Sequence, residues 1–125
     1  SGMFGELEQE QDLNAFFDLI KKQFHLNVIR HTSAVKSTVK KIAWCGGAGS
    51  FLLGSAKAVK ADLFITGDFK YHEFFDHENS LVIADIGHYE SEQFTIDLLG
   101  DFLKEKFPKF AVHLTEISTN PVNYY

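Results

Sequence analysis

Lys41-Ile42-Ala43-Trp44-Cys45-Gly46-Gly47-Ala48-Gly49-Ser50 opens a rhythm that decides the fold: a short apolar run, a glycine-bearing polar stretch, then a segment of helical composition. The rhythm returns in Asp62-Leu63-Phe64-Ile65-Thr66-Gly67-Asp68 and again in Leu81-Val82-Ile83-Ala84-Asp85-Ile86-Gly87-His88. Strands that are continuously apolar are buried on both faces, and sheets covered in that way are built from parallel strands with helical crossovers. The spacing predicts an α/β three-layer sandwich, with a mostly parallel sheet covered by helices on both faces. Right-handed crossovers would bring all three glycine-bearing loops to the carboxyl ends of the strands. Strands ending at Cys45, Thr66 and Ile86 are thus expected side by side and parallel, with Gly47, Asp68 and His88 at one edge. Open α/β sheets bind their ligands at that edge.

Upstream of this core, Asp12 is placed to cap a helix whose apolar positions are Leu13, Phe16, Phe17, Ile20 and Phe24. Spacings of three and four put them on one buried face, and Lys21 and Lys22 complement the helix dipole in its last turn. Asn27 to His31 reads as a short strand and Thr32 to Thr38 as a loop. Phe51 to Lys60 has helical composition, and Phe69 to His77 is expected as a short helix with Asp68 as its N-cap. Downstream, Ile96, Leu99, Leu103 and Phe107 form the stripe of a further helix, widened by Leu98 and Phe102 and stopped by Pro108. Phe110 to Ile117 alternates like a final strand. Ser1-Gly2-Met3 reads as an expression scar, and residues 1–10 as that scar with an acidic lead-in. Residues 11–125 are expected to form a single α/β domain.

Charge and composition exclude several function classes. Twelve Lys and Arg against seventeen Asp and Glu leave a net charge of −5, and Arg30 is the single arginine. Nucleic-acid binding relies on clustered cations, with arginine as the usual base reader, so this balance argues against it. One cysteine, Cys45, excludes an internal disulfide and a zinc cluster built from cysteines. No apolar run approaches the roughly 18 residues of a membrane span and no leader-like segment opens the chain, so the cytoplasm is the expected compartment.

Each loop has a plain reading beside a chemical one. Gly46-Gly47-Ala48-Gly49-Ser50 offers backbone N–H groups and a hydroxyl at a helix start, the way anion sites are built. It lacks the ending of a phosphate loop, and Leu52 stands where a dinucleotide fingerprint has its third glycine, so a tight strand-to-helix turn that needs glycine for positive φ is the favoured reading. Asp68 and His72 lie four apart, one helical turn, and are able to share a ligand or a proton; the alternative is a cap and a surface histidine. Gly87-His88-Tyr89-Glu90-Ser91-Glu92 places an imidazole and a carboxylate one turn apart at a helix start, which suits zinc, manganese or iron.

These motifs, in this order, resemble the carboxyl-terminal half of the Ngg-interacting-factor-three family, whose bacterial members carry the label GTP cyclohydrolase I type 2 homologue. The likeness rests on Val39 to Ser50, Ala61 to His72, Asp85 to Glu92 and the closing Ser118-Thr119-Asn120-Pro121-Val122. It implies a hydrolase-like protein with two divalent metal ions in a cleft between two related α/β halves, assembled as a ring-shaped hexamer. His88 and Glu92 match the ligands that the carboxyl-terminal half supplies. Asp68 and His72 match the motif lining the same cleft, and with Gly46, Gly47 and Ser50 they are candidates for holding substrate or orienting ligands. A histidine pair and an aspartate are expected from an amino-terminal half, and this sequence contains no adjacent histidines.

The chain is therefore expected to be part of a longer protein, to carry half of a metal site, to hold metal weakly or not at all, and to be inactive alone. Its expected partners are the missing half and further copies of itself. The alternative is a metal-independent module that binds a nucleotide or another protein.

Overall fold

Strand β1 (Met3–Asp12) leads into helix α1 (Leu13–Gln23), followed by β2 (Arg30–His31), β3 (Thr38–Ala48) and α2 (Leu53–Ala58). Then come β4 (Leu63–Gly67), a 3-10 helix over Tyr71–His77, β5 (Val82–Asp85), α3 (His88–Glu92) and α4 (Thr95–Lys106). This is a computed structural model, and it describes residues 2–125. The chain divides into two compact units, Ser1–Ser91 and Glu92–Tyr125.

The first unit holds a five-stranded sheet in the order β1-β3-β4-β5-β2. Its centre follows the expected rhythm: β3 pairs with β4 in parallel, Ile42 opposite Leu63, and β4 with β5 in parallel, Thr66 opposite Asp85. The whole sheet is mixed, which corrects the expectation of a mostly parallel one. Only the β3-β4-β5 run is parallel, its links crossing back through α2 and through the 3-10 helix. The outer strands lie outside that run and pair antiparallel, β1 against β3 and β2 against β5.

Successive residues of the central strands divide between two apolar clusters, as the period of two requires. Ile42, Leu63, Ile65, Val82 and Ala84 join Leu13, Phe16, Phe17 and Ile20 of α1. Ala43, Phe64 and Ile83 join Leu53 and Ala56 of α2, with Phe69 and Leu81. Asp12 caps α1 as expected, its carboxylate accepting from the Ala15 N–H at 2.9 Å.

Other expectations need correction. Residues 3–12 form an edge strand and not a lead-in; Glu6, Glu8 and Glu10 lie along it, and charge on an edge strand discourages further pairing. The strand expected over Asn27 to His31 contracts to Arg30–His31. The helix expected over Phe69 to His77 is a 3-10 helix that starts at Tyr71, with Lys70 at its cap position. In the second unit, α4 ends just before Pro108 as expected, but Phe110 to Ile117 is not a strand. Its alternation has no ladder to join: among the described residues no strand pairs with it, and Phe110 and Ile117 are exposed. Leu114 packs close to Gly100 of α4, where an added methyl would come within 2.6 Å of its Cδ2. No helix among the described residues is long and apolar enough to cross a membrane.

Candidate metal centre

The site begins where β4 and β5 end. After Gly67 the chain turns through Asp68, which has a left-handed φ of 58°. The turn is held by Phe69, 2% exposed, whose ring packs against Phe64 and Phe74. Burying Phe69 leaves its neighbour Asp68 projecting from the carboxyl end of the sheet. One strand over, Ile86 is buried, Gly87 turns with φ 93°, and His88 opens α3. The two turns lie against one another: a methyl added to Gly67 would meet the Gly87 carbonyl carbon and oxygen and the His88 nitrogen, each at 2.9 Å.

That approach brings together two side chains twenty residues apart in sequence. His88 Nδ1 donates to Asp68 Oδ2 at 2.6 Å, and both side chains are about half exposed. A carboxylate can only accept, so in the neutral ring the hydrogen sits on Nδ1 and the lone pair on Nε2. This is how proteins fix the tautomer of a metal-binding imidazole, and also how they orient a general base. Asp68 is therefore no N-cap: the expected role is displaced by the contact with His88. His72, expected one turn from Asp68 on the same face, is exposed, and no hydrogen bond ties it to Asp68 or His88. Glu92 closes the five-residue helix that His88 begins.

The glycine loop supports this edge from the side. Gly47 N–H donates to Ser91 Oγ at 2.8 Å, and Ser91 Oγ donates to the His88 carbonyl at 2.8 Å. Thr66 Oγ1, fully buried, donates to the Gly47 carbonyl at 3.1 Å. Ser50 Oγ donates to Glu73 Oε1 at 3.3 Å, which sets a carboxylate where a bound anion would sit. Gly49 leaves room for Thr66 Oγ1, with which any side-chain carbon there would collide. Gly46 lies exposed beside Cys45, whose Sγ donates to the Gly46 carbonyl. The glycines thus serve close packing of β3 against β4, and the Gly47 N–H and the Ser50 hydroxyl are both engaged within the protein.

Two residues absent from the sequence-based candidate set complete the edge. Asp85, with 3% of its side chain exposed, accepts from the Phe69 N–H and the Gly87 N–H, each at 2.9 Å, and pairs with Arg30. Arg30 also donates to the Phe69 carbonyl at 2.9 Å and lies over the Phe74 ring. Their signals in the sequence were an acid inside an apolar run and the only arginine of an acidic chain.

Among the described residues no three His, Cys, Asp or Glu side chains converge as a metal site. His88 and Glu92 stand at the two ends of α3, and a closed or catalytic metal site needs at least three protein ligands.

Comparison with known proteins places the chain in a family. The curated protein named GTP cyclohydrolase 1 type 2 homolog of Staphylococcus epidermidis RP62A is 32% identical over 127 residues, covering 98% of this chain and 35% of the relative. Its counterpart in Campylobacter jejuni is 34% identical over 120 residues, covering 95% of this chain and 47% of the relative. The chain thus spans between a third and a half of the length of these relatives. Among solved structures, Staphylococcus aureus protein SA1388 superimposes with a TM-score of 0.82 at 27% identity, over 99% of this chain and 42% of that one. A Bacillus cereus protein related to NIF3 gives 0.80 at 27% identity, over 99% of this chain and 36% of that one. The family model Duf34/NIF3 (NGG1p interacting factor 3) matches residues 1–121, and the chain belongs to that family.

Proposed function

We propose that this chain contributes half of a dinuclear metal centre to a hydrolase-like protein, with His88 and Glu92 as its ligands. The observation that supports the reading is the contact between Asp68 and His88 Nδ1, the arrangement by which a carboxylate orients a metal-binding imidazole. When bound, divalent ions supply Lewis acidity for hydrolysis. The chain's own residues orient that chemistry: Asp68 holds the imidazole, and Ser91 ties the His88 carbonyl to the Gly47 N–H. Two apolar clusters, one with α1 and one with α2, support helices on both faces of the sheet.

Two ligands bind a metal less firmly than three or four, so the chain alone is expected to hold zinc, manganese or iron weakly and to lack hydrolase activity. The remaining ligands are expected from the part of the protein that its longer relatives possess. Metal analysis after dialysis tests this. Weak zinc binding in the unsubstituted chain, lost in His88→Ala, is the expected result. Stoichiometric metal that survives His88→Ala would overturn the assignment.

A second reading, an interaction domain, draws on α4, where Leu98, Leu99 and Phe102 are each more than half exposed. Such a surface suits association with further polypeptide, either the remainder of the protein or another copy of this chain.

A further inference from the structure

We infer that Asp85 is a positioning residue: its buried carboxylate gathers the turn after β4 and the turn after β5, so that Asp68 and His88 meet. The inference rests on the metal-centre reading above and adds the group that assembles it. One oxygen of Asp85 accepts from the Phe69 N–H and the other from the Gly87 N–H, each at 2.9 Å. Phe69 follows Asp68, and Gly87 precedes His88. Each bond therefore fixes the residue next to a member of the pair.

The turn at Asp68 needs fixing: its φ is 58°, and a left-handed turn at a non-glycine residue persists only where its surroundings hold it. Gly87, at φ 93°, takes its turn without strain but has other conformations open to it, among which the bond to Asp85 selects. Arg30 completes the clamp from the edge strand. It pairs with Asp85 and donates to the Phe69 carbonyl at 2.9 Å, so both polar groups of the Phe69 backbone are held. It also offsets the cost of burying a carboxylate. Asp85 acts through the backbone on either side of the pair.

The test uses the full chain, metal-free and 15N-labelled, at about pH 8, above the ordinary histidine range. In the unsubstituted chain, the His88 ring is expected to carry its hydrogen predominantly on Nδ1, and the Phe69 and Gly87 amides to exchange slowly. In Asp85→Asn the share of Nδ1–H is expected to fall below half, with those two amides exchanging at least about tenfold faster. Zinc affinity is expected to fall about 10- to 100-fold, the range for loss of an outer partner of a ligand. The Ile83 amide, bonded to Thr32 Oγ1, should keep its protection and report an intact core.

Asp12→Ala, which weakens a helix cap far from the pair, serves as the control for destabilisation alone and should leave the ring signature unchanged. Should Asp85→Asn not fold, Arg30→Gln, at a half-exposed edge position, is expected to move the ring signature in the same direction by a smaller amount. A folded variant of either kind that retains the unsubstituted ring signature would overturn the inference. Absence of zinc binding in the unsubstituted chain would overturn the metal reading instead, because the ring and amide measurements are made without metal.

Discussion

Gly67 is the residue on which the approach of the two turns depends. Its missing side chain leaves 2.9 Å between an added methyl and the backbone of Gly87 and His88, and backbone cannot move aside as a flexible side chain can. Gly67→Ala is expected to cost about 1–3 kcal/mol, the range for overpacking a filled site, read as a lower urea midpoint with an unchanged slope. A cost near zero would mean that the turns are not pressed together. Residue roles of this kind were only partly legible in the sequence. The motif order placed Asp68 and His88 at one sheet edge, and they meet there. Asp68 nevertheless reads locally as a helix cap, because capping rules look three residues ahead while its partner lies twenty residues on. Asp85 was read simply as part of an apolar run, since its hydrogen-bond partners are backbone groups that no side-chain pattern reveals.

At the scale of elements, β3, β4 and β5 were legible because their burial leaves continuous apolar runs. The edge strand β1 was not, because a strand with solvent along one side and three glutamates resembles a polar lead-in. The alternation over Phe110 to Ile117 misled in the opposite sense, since a strand requires a partner as well as a pattern. One ion pair at the amino-terminal end of the sheet also gives an element-scale prediction. Burial alone would raise the Asp62 carboxyl, but hydrogen bonds from Lys36 and from the Lys41 and Lys40 N–H groups outweigh it and hold its pKa below the ordinary aspartate value. A carboxyl lowered in the folded state contributes stability above its unfolded pKa, about 3.9. That contribution is lost as pH falls through the lower folded value. Urea unfolding is expected to show stability falling between about pH 5 and pH 2, with a shallower fall in Asp62→Asn. Equal slopes in the two proteins would remove Asp62 from the account.

For the whole molecule, the two ligands of the proposed centre and the exposed apolar residues of α4 point the same way, toward further polypeptide. The relatives are between two and three times as long as the stretch that this chain covers in them. Sedimentation is expected to show concentration-dependent association, reduced when Leu98 and Phe102, 71% and 59% exposed, are replaced by glutamate. A monomer at all concentrations would contradict that reading of α4. The central claim, that Asp68 presents His88 Nε2 to a metal, is tested most directly by anomalous diffraction from crystals of the chain soaked in zinc. The account predicts an anomalous peak about 2.0–2.1 Å from His88 Nε2, with Asp68 still accepting from Nδ1. Zinc bound elsewhere and absent from His88, or bound at Nδ1 with Asp68 displaced, would contradict it.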